Sequence, residues 1–141
     1  MSLTLLGPLR ASVQQVPLFS NLVAAGFPSP AEDHIEATLS LDELCIRHPA
    51  ATYLLRAAGD SMQGAGIFDG DVLVVDRSIE PRTGMIVVAT VRGDFTCKRL
   101  EAEAGQPVLR AENPRYPDIR LAPDEELEVF GVVVAVVRTM V

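Results

Sequence analysis

The first candidate for chemistry in this 141-residue chain is a serine among glycines. Ser61 follows an apolar segment that reads as a β-strand, Gly59 stands two positions before it, and more glycines come soon after. Glycine permits the tight backbone path that presents a serine hydroxyl at a surface. The backbone N–H groups of Ser61 and Asp60 could then bind a developing oxyanion. Taken alone, the segment is more typical of an ordinary turn.

Lys98 is the candidate base for that serine. In the strand predicted at residues 95–100, the two-residue period places Thr96, Lys98 and Leu100 on one face. A lysine beside a leucine can lose part of its hydration, and the Thr96 hydroxyl can orient the amine. An ordinary lysine has a pKa of about 10.4, so a base at neutral pH needs a pKa lower by about 3 units, or about 4 kcal/mol. The competing interpretation is an exposed strand lysine.

Short strands must position these two residues. Apolar and polar residues alternate strictly at residues 35–41, which predicts a half-buried strand. Further strands, bounded by turn signals, are predicted at residues 53–57, 71–76, 85–92, 95–100, 107–111, 119–121 and 127–138. Gly93 and Asp94 are typical of a two-residue hairpin, and Ser40 with Glu43 predicts a capping box that opens a short helix ended by Pro49. This pattern predicts a mostly β domain at residues 35–141. Residues 1–34, with four prolines and little periodicity, are predicted to be an N-terminal arm.

Composition restricts the partners. The net charge is −7, with 12 basic residues scattered among 19 acidic ones, which disfavours binding through a phosphate backbone. We therefore expect protein partners and no sequence-specific DNA binding. Two cysteines make no disulfide framework, and no signal peptide or membrane-spanning stretch is evident. The expected location is the cytoplasm.

Other chemistry-bearing residues have simpler interpretations. His34 or His48 could complete a triad with Ser61, but a cation at the C-terminal end of a helix suffices to explain His48. Cys45 and His48 have the spacing of two zinc ligands, yet no second pair accompanies them. Residues 69–71 are predicted to be a turn rather than a calcium loop. The glycine-rich segment lacks the lysine of a nucleotide-binding loop.

Three segments together resemble the LexA/UmuD family of self-cleaving peptidases. They are residues 59–62, 66–71 and 95–100, and residues 113–117 resemble the loop that follows the lysine strand in that family. The resemblance implies a catalytic dyad of Ser61 and Lys98 in a β-rich peptidase domain, with no metal or cofactor. It covers nearly the whole chain and is strongest to UmuD-like members. A LexA-type repressor would need a helix-turn-helix domain, for which the segment before the peptidase domain is too short.

The resemblance also implies a substrate and partners. The cut would fall between Ala25 and Gly26, within a run of small residues that can lie extended in a narrow cleft. A RecA–single-stranded DNA filament would promote it during the SOS response to DNA damage. The shortened product would form a homodimer that joins a Y-family, UmuC-like translesion DNA polymerase, with the replication clamp as a further partner. The alternative is a polymerase or clamp adaptor that keeps the fold without catalysis.

Overall fold

A computed structural model describes residues 2–8, 14–19 and 35–141, and most elements in these ranges are strands. The strands are β1 Ser2–Pro8, β2 Val16–Phe19, β3 Ile35–Leu39, β4 Thr52–Ala58, β5 Val72–Asp76, β6 Ile86–Val91, β7 Asp94–Glu103, β8 Gln106–Arg110, β9 Ile119–Arg120 and β10 Glu128–Val137. The one α-helix in these ranges is α1, Leu41–Cys45, and the turns Pro49–Ala51 and Gln63–Ala65 are 3-10 helical. The prediction of a mostly β fold is confirmed.

Eight strands form one sheet in the order β1-β4-β5-β10-β6-β7-β8-β9, and every neighbouring pair is antiparallel. β2 and β3 pair separately. The candidate serine follows β4 and the candidate lysine lies in β7, so three strands separate the two in the sheet. The ladder of β10 is irregular between Val129 and Gly131 and again between Val133 and Ala135. Such bulges bend a strand and increase its twist, which lets distant strands of one sheet approach each other.

The two faces of β7 contribute to two different apolar clusters. Cys97 packs with Leu55, Met62 and Val88 in the first cluster, whereas Leu100 packs in the second. Both clusters consist mainly of aliphatic side chains, as expected for a chain without tryptophan. The predicted alternation along β7 is therefore confirmed, and it places Lys98 on the face of Leu100.

Of two local expectations around the helix, one is confirmed and one is wrong. The capping box is present, because the Ser40 hydroxyl accepts from the N–H of Glu43 at 3.2 Å and the Glu43 carboxylate accepts from the N–H of Ser40 at 3.3 Å. The helix ends at Cys45, however, and Pro49 begins a 3-10 turn instead of ending the helix. The expectation for Pro49 was wrong because the backbone is already extended at Ile46, with φ −125° and ψ 119°, three residues before the proline.

The segment predicted as an arm contributes a strand to the main sheet. β1 pairs antiparallel with β4, with Leu3 opposite Ala57, and the Leu3 side chain packs against the first apolar cluster. Sequence periodicity did not predict this strand, because Gly7 and Pro8 interrupt the pattern after only a few residues. The division of the chain at residue 34 stays a prediction.

A close backbone approach in β10 yields a testable stability effect. A Cβ atom on Gly131 would lie 2.7 Å from Cγ1 of Val75 and 3.0 Å from the carbonyl oxygen of Asp76. We expect Gly131→Ala to lower the free energy of unfolding by about 1–3 kcal/mol, because a packed core does not yield without strain. Urea denaturation measures this as a lower midpoint at unchanged slope. Thr83→Ala, at an exposed turn position, is the control, and an unchanged midpoint for Gly131→Ala would contradict the expectation.

Candidate active site

The turn that carries Ser61 leaves β4 through Gly59. That glycine has φ +95°, a conformation that favours glycine, and its N–H donates to a carboxylate oxygen of Asp69 at 2.8 Å. The chain then passes through the 3-10 turn Gln63–Ala65, which Gly66 ends at φ +82°. Ser61 is fully buried at 0% exposure. Its hydroxyl is therefore shielded from bulk water.

Lys98 meets Ser61 inside the protein. Its Nζ donates to Ser61 Oγ, to Thr96 Oγ1 and to the carbonyl oxygen of Cys97, each at 3.1 Å. The lysine is 4% exposed. The structure thus brings together Ser61, Lys98 and Thr96, the residues in which the sequence analysis located the chemistry.

The surroundings of Lys98 favour its neutral amine. Burial lowers the pKa of Lys98 below its ordinary value of 10.5. None of the ion pairs among the described residues includes this lysine. Burial also raises the pKa of the neighbouring Cys97 thiol to about 12, so this thiol stays neutral and supplies no counter-charge. The Lys98 amine therefore stays neutral, and able to act as a base, at a lower pH than the amine of an exposed lysine.

The loop between β8 and β9, residues 111–118, contacts the turn that carries Ser61. The N–H of Glu112 donates to the carbonyl oxygen of Ser61 at 2.9 Å, and the N–H of Gly64 donates to the carbonyl oxygen of Glu112 at 2.8 Å. The side-chain amide of Asn113 donates to the carbonyl oxygen of Asp60 at 2.9 Å, and the hydroxyl of Tyr116 donates to the Asp60 carboxylate. The sequence analysis noted this loop only through the family resemblance. No periodicity could have revealed its contacts.

The motif at residues 66–71 is held by an arginine beyond β10. The Asp71 carboxylate is buried and accepts from Nε and Nη2 of Arg138 at 2.6 and 2.7 Å, and from the N–H of Phe68 at 2.7 Å. Arg138 also donates to the carbonyl oxygen of Gly66 at 3.1 Å. The hydrogen bonds from Arg138 lower the pKa of Asp71 below 3.8. The Asp71 carboxylate therefore stabilises the turn at residues 66–71. Among the described residues there is no cluster of side chains that could bind a metal ion.

The alternative triad is not formed by His48. Its Nδ1 lies 2.6 Å from a carboxylate oxygen of Asp76, a fully buried residue opposite Thr52 at the start of β4. Ser61 follows the other end of β4, which is about 20 Å away for a seven-residue strand. The helix-end explanation of His48 was also wrong, because α1 ends before it and a buried carboxylate orients the ring. His34 lies outside the described residues.

The proposed cut between Ala25 and Gly26 also lies outside the described residues.

Among the residues that the structure does describe, no helix has the length and apolar character needed to cross a membrane.

Comparison with known proteins gives a consistent result. A family model described as Peptidase S24-like matches residues 17–134. Protein SamA of Salmonella typhimurium is 46% identical over 137 residues, which cover 96% of this chain and 95% of SamA. Protein MucA of Escherichia coli is 46% identical over 122 residues, or 86% of this chain and 83% of MucA. The LexA repressor of Bordetella avium is 41% identical over 134 residues, which cover 94% of this chain and 62% of the repressor.

Proposed function

This chain belongs to the Peptidase S24-like family as a UmuD-like member, and we propose that it cleaves itself with Ser61 as nucleophile and Lys98 as general base. The single observation that carries the proposal is the 3.1 Å contact between Lys98 Nζ and Ser61 Oγ in a buried site. A serine hydroxyl is a weak nucleophile until a base within hydrogen-bond reach takes its proton. A buried neutral lysine provides that base without a histidine.

The reaction begins with transfer of the Ser61 hydroxyl proton to neutral Lys98. Oγ attacks the carbonyl carbon of Ala25, and the N–H groups of Ser61 and Asp60 stabilise the oxyanion. No hydrogen bond within the described ranges uses either N–H as a donor, which supports this assignment. The Ala25–Gly26 bond then breaks, and the leaving amine takes the proton from Lys98. Water, deprotonated by Lys98, hydrolyses the ester on Ser61 and leaves residues 1–25 and 26–141.

Two features favour cleavage of the chain by its own dyad. The Thr96 hydroxyl lies 3.1 Å from Lys98 Nζ and orients the amine towards Ser61. A scissile bond on the same chain reaches a high effective concentration, so a dyad of modest strength suffices.

Full burial of Ser61 also means that the site must open before a peptide enters it. A reaction that waits for an opening event is suited to promotion by a partner.

The proposed biological role follows from the family. A RecA–single-stranded DNA filament promotes the cut in the cytoplasm during the SOS response. The shortened chain acts as a homodimer beside a Y-family, UmuC-like DNA polymerase and contacts the replication clamp. The similarity to SamA and MucA over most of the chain supports this role.

Self-cleavage of the purified full chain is the test. The folded pKa of Lys98 is lowered and only the neutral amine is a base, so we expect the rate to rise with pH through that pKa and to level off below pH 10.5. Mass spectrometry at a series of pH values detects loss of residues 1–25. Ser61→Ala should stay whole throughout. A wild-type chain that stays whole at every pH, and with the RecA filament, would contradict the proposal and favour a non-catalytic adaptor.

A further inference from the structure

The two peptide units that flank Ser61 are both held at their carbonyl ends. The amide of Asn113 binds the carbonyl oxygen of Asp60 at 2.9 Å, and the N–H of Glu112 binds the carbonyl oxygen of Ser61 at the same distance. A trans peptide unit is planar, with its C=O and N–H pointing in opposite directions. A contact that fixes the carbonyl of Asp60 therefore also fixes the direction of the N–H of Ser61.

That N–H is the oxyanion donor in the proposed reaction. An oxyanion donor is effective only when it already points at the position where charge develops. A hydrogen bond to the carbonyl end of the same peptide unit also polarises the unit, which strengthens its N–H as a donor. We propose that Asn113 is a positioning residue, whose amide aims the N–H of Ser61 at the oxyanion. The inference rests on the proposed function.

The loop that carries Asn113 is anchored to the strand of the base. The Glu112 carboxylate accepts from Nε of Arg99, the residue after Lys98, at 2.5 Å. On the other side, a Cβ atom on Gly64 would lie only 2.6 Å from the carbonyl oxygen of Glu112, so this backbone contact excludes side chains. Residue 112 thus connects the serine turn with β7. The position of Asn113 is consequently fixed relative to Lys98, which lies in the same strand as Arg99.

Asn113 is the member of this loop whose contribution a substitution can isolate. Glu112 binds Ser61 through its backbone N–H, which every replacement except proline retains. Tyr116 and Arg115 contact the carboxylate of Asp60 and not its peptide unit. Asn113 has two separable roles, because its Nδ2 donates to Asp60 and its Oδ1 accepts from the N–H of Arg115 at 3.0 Å. The first role positions the serine turn and the second shapes the loop.

Two variants of the full chain separate these roles. Asn113→Ala removes both contacts, whereas Asn113→Asp keeps an acceptor for the loop but has no donor once ionised. We expect both to lower the alkaline plateau of the self-cleavage rate by roughly 10- to 100-fold. This effect is no larger than the loss of rate that follows removal of one complete oxyanion donor. The pH at which the Asn113→Ala rate is half-maximal should match that of the wild type, because the contacts of Lys98 are unchanged.

Thr52→Val is the matched control for stability. It removes a similar hydrogen bond from a buried side chain to a carbonyl, Thr52 Oγ1 to His48 at 2.7 Å, at the far end of β4. Its plateau rate should equal that of the wild type. The inference is overturned if Asn113→Ala or Asn113→Asp cleaves within about twofold of wild type, or if Thr52→Val is as slow as they are. A wild-type chain that does not cleave defeats the proposed function itself.

Discussion

Replacement of Lys98 by methionine is expected to abolish self-cleavage while the chain stays folded. Methionine is unbranched and apolar, so it suits a position that is 4% exposed, but it cannot accept the proton of Ser61. Loss of a general base typically costs 10²- to 10⁴-fold in rate. We expect at least about a 1,000-fold loss, because His48, the only histidine among the described residues, is bound to Asp76 at the far end of β4. Mass spectrometry after alkaline incubation measures it.

The same variant tests the state of the amine. Burial lowers the folded pKa of Lys98, so between that pKa and 10.5 the unfolded chain holds more protons than the folded chain. Stability of the wild type therefore rises with pH across this window. Lys98→Met has no such proton, so its stability relative to wild type should be highest below the folded pKa of Lys98 and should decline as the pH rises from there to 10.5.

Lys98→Arg is the control for this prediction. It keeps a charge that no accessible pH removes, so it should be both inactive and less stable than Lys98→Met. A Lys98→Met chain that still cleaves, or a wild-type chain whose stability relative to Lys98→Met does not change with pH, would contradict the assigned role.

Replacement of Arg138 by methionine is expected to have the largest effect on stability. It leaves the buried Asp71 carboxylate without the two hydrogen bonds that Arg138 donates, and a buried charge that loses its partner destabilises the fold. The loss should be smaller than for an ion pair in which both partners are buried, because the Arg138 side chain is 43% exposed. Urea denaturation should show a lower midpoint.

The pH dependence has a definite sign. Arg138 lowers the folded pKa of Asp71 below 3.8, so the pair stabilises the chain above pH 3.8 and loses its contribution as the pH falls through the folded pKa. The deficit of Arg138→Met should thus be full at pH 7 and shrink under acidic conditions. Asp71→Asn in the Arg138→Met background should recover part of the stability, since no charge is then buried. Equal midpoints for wild type and Arg138→Met would contradict the prediction.

Much of the fold could be predicted because its signals are local. A two-residue period determines which side chains share a face, and that is why Thr96, Lys98 and Leu100 were assigned to one face of β7 before any contact was known. The capping box of Ser40 and Glu43 is likewise contained in four residues. The resemblance of three ordered segments then pointed to Ser61 and Lys98 as partners.

Only the tertiary structure decided what surrounds those partners. β4 and β7 are separated by three strands, so their approach depends on the twist of the whole sheet. The lowered pKa of Lys98 requires a buried position, and Asn113 reaches Asp60 across 53 positions of the chain. Contacts over such distances leave no periodic trace in a sequence. The amino-acid sequence by itself therefore determined the strands and the candidate residues. Only folding created the buried, hydrogen-bonded environment in which the Lys98 amine can act as a base.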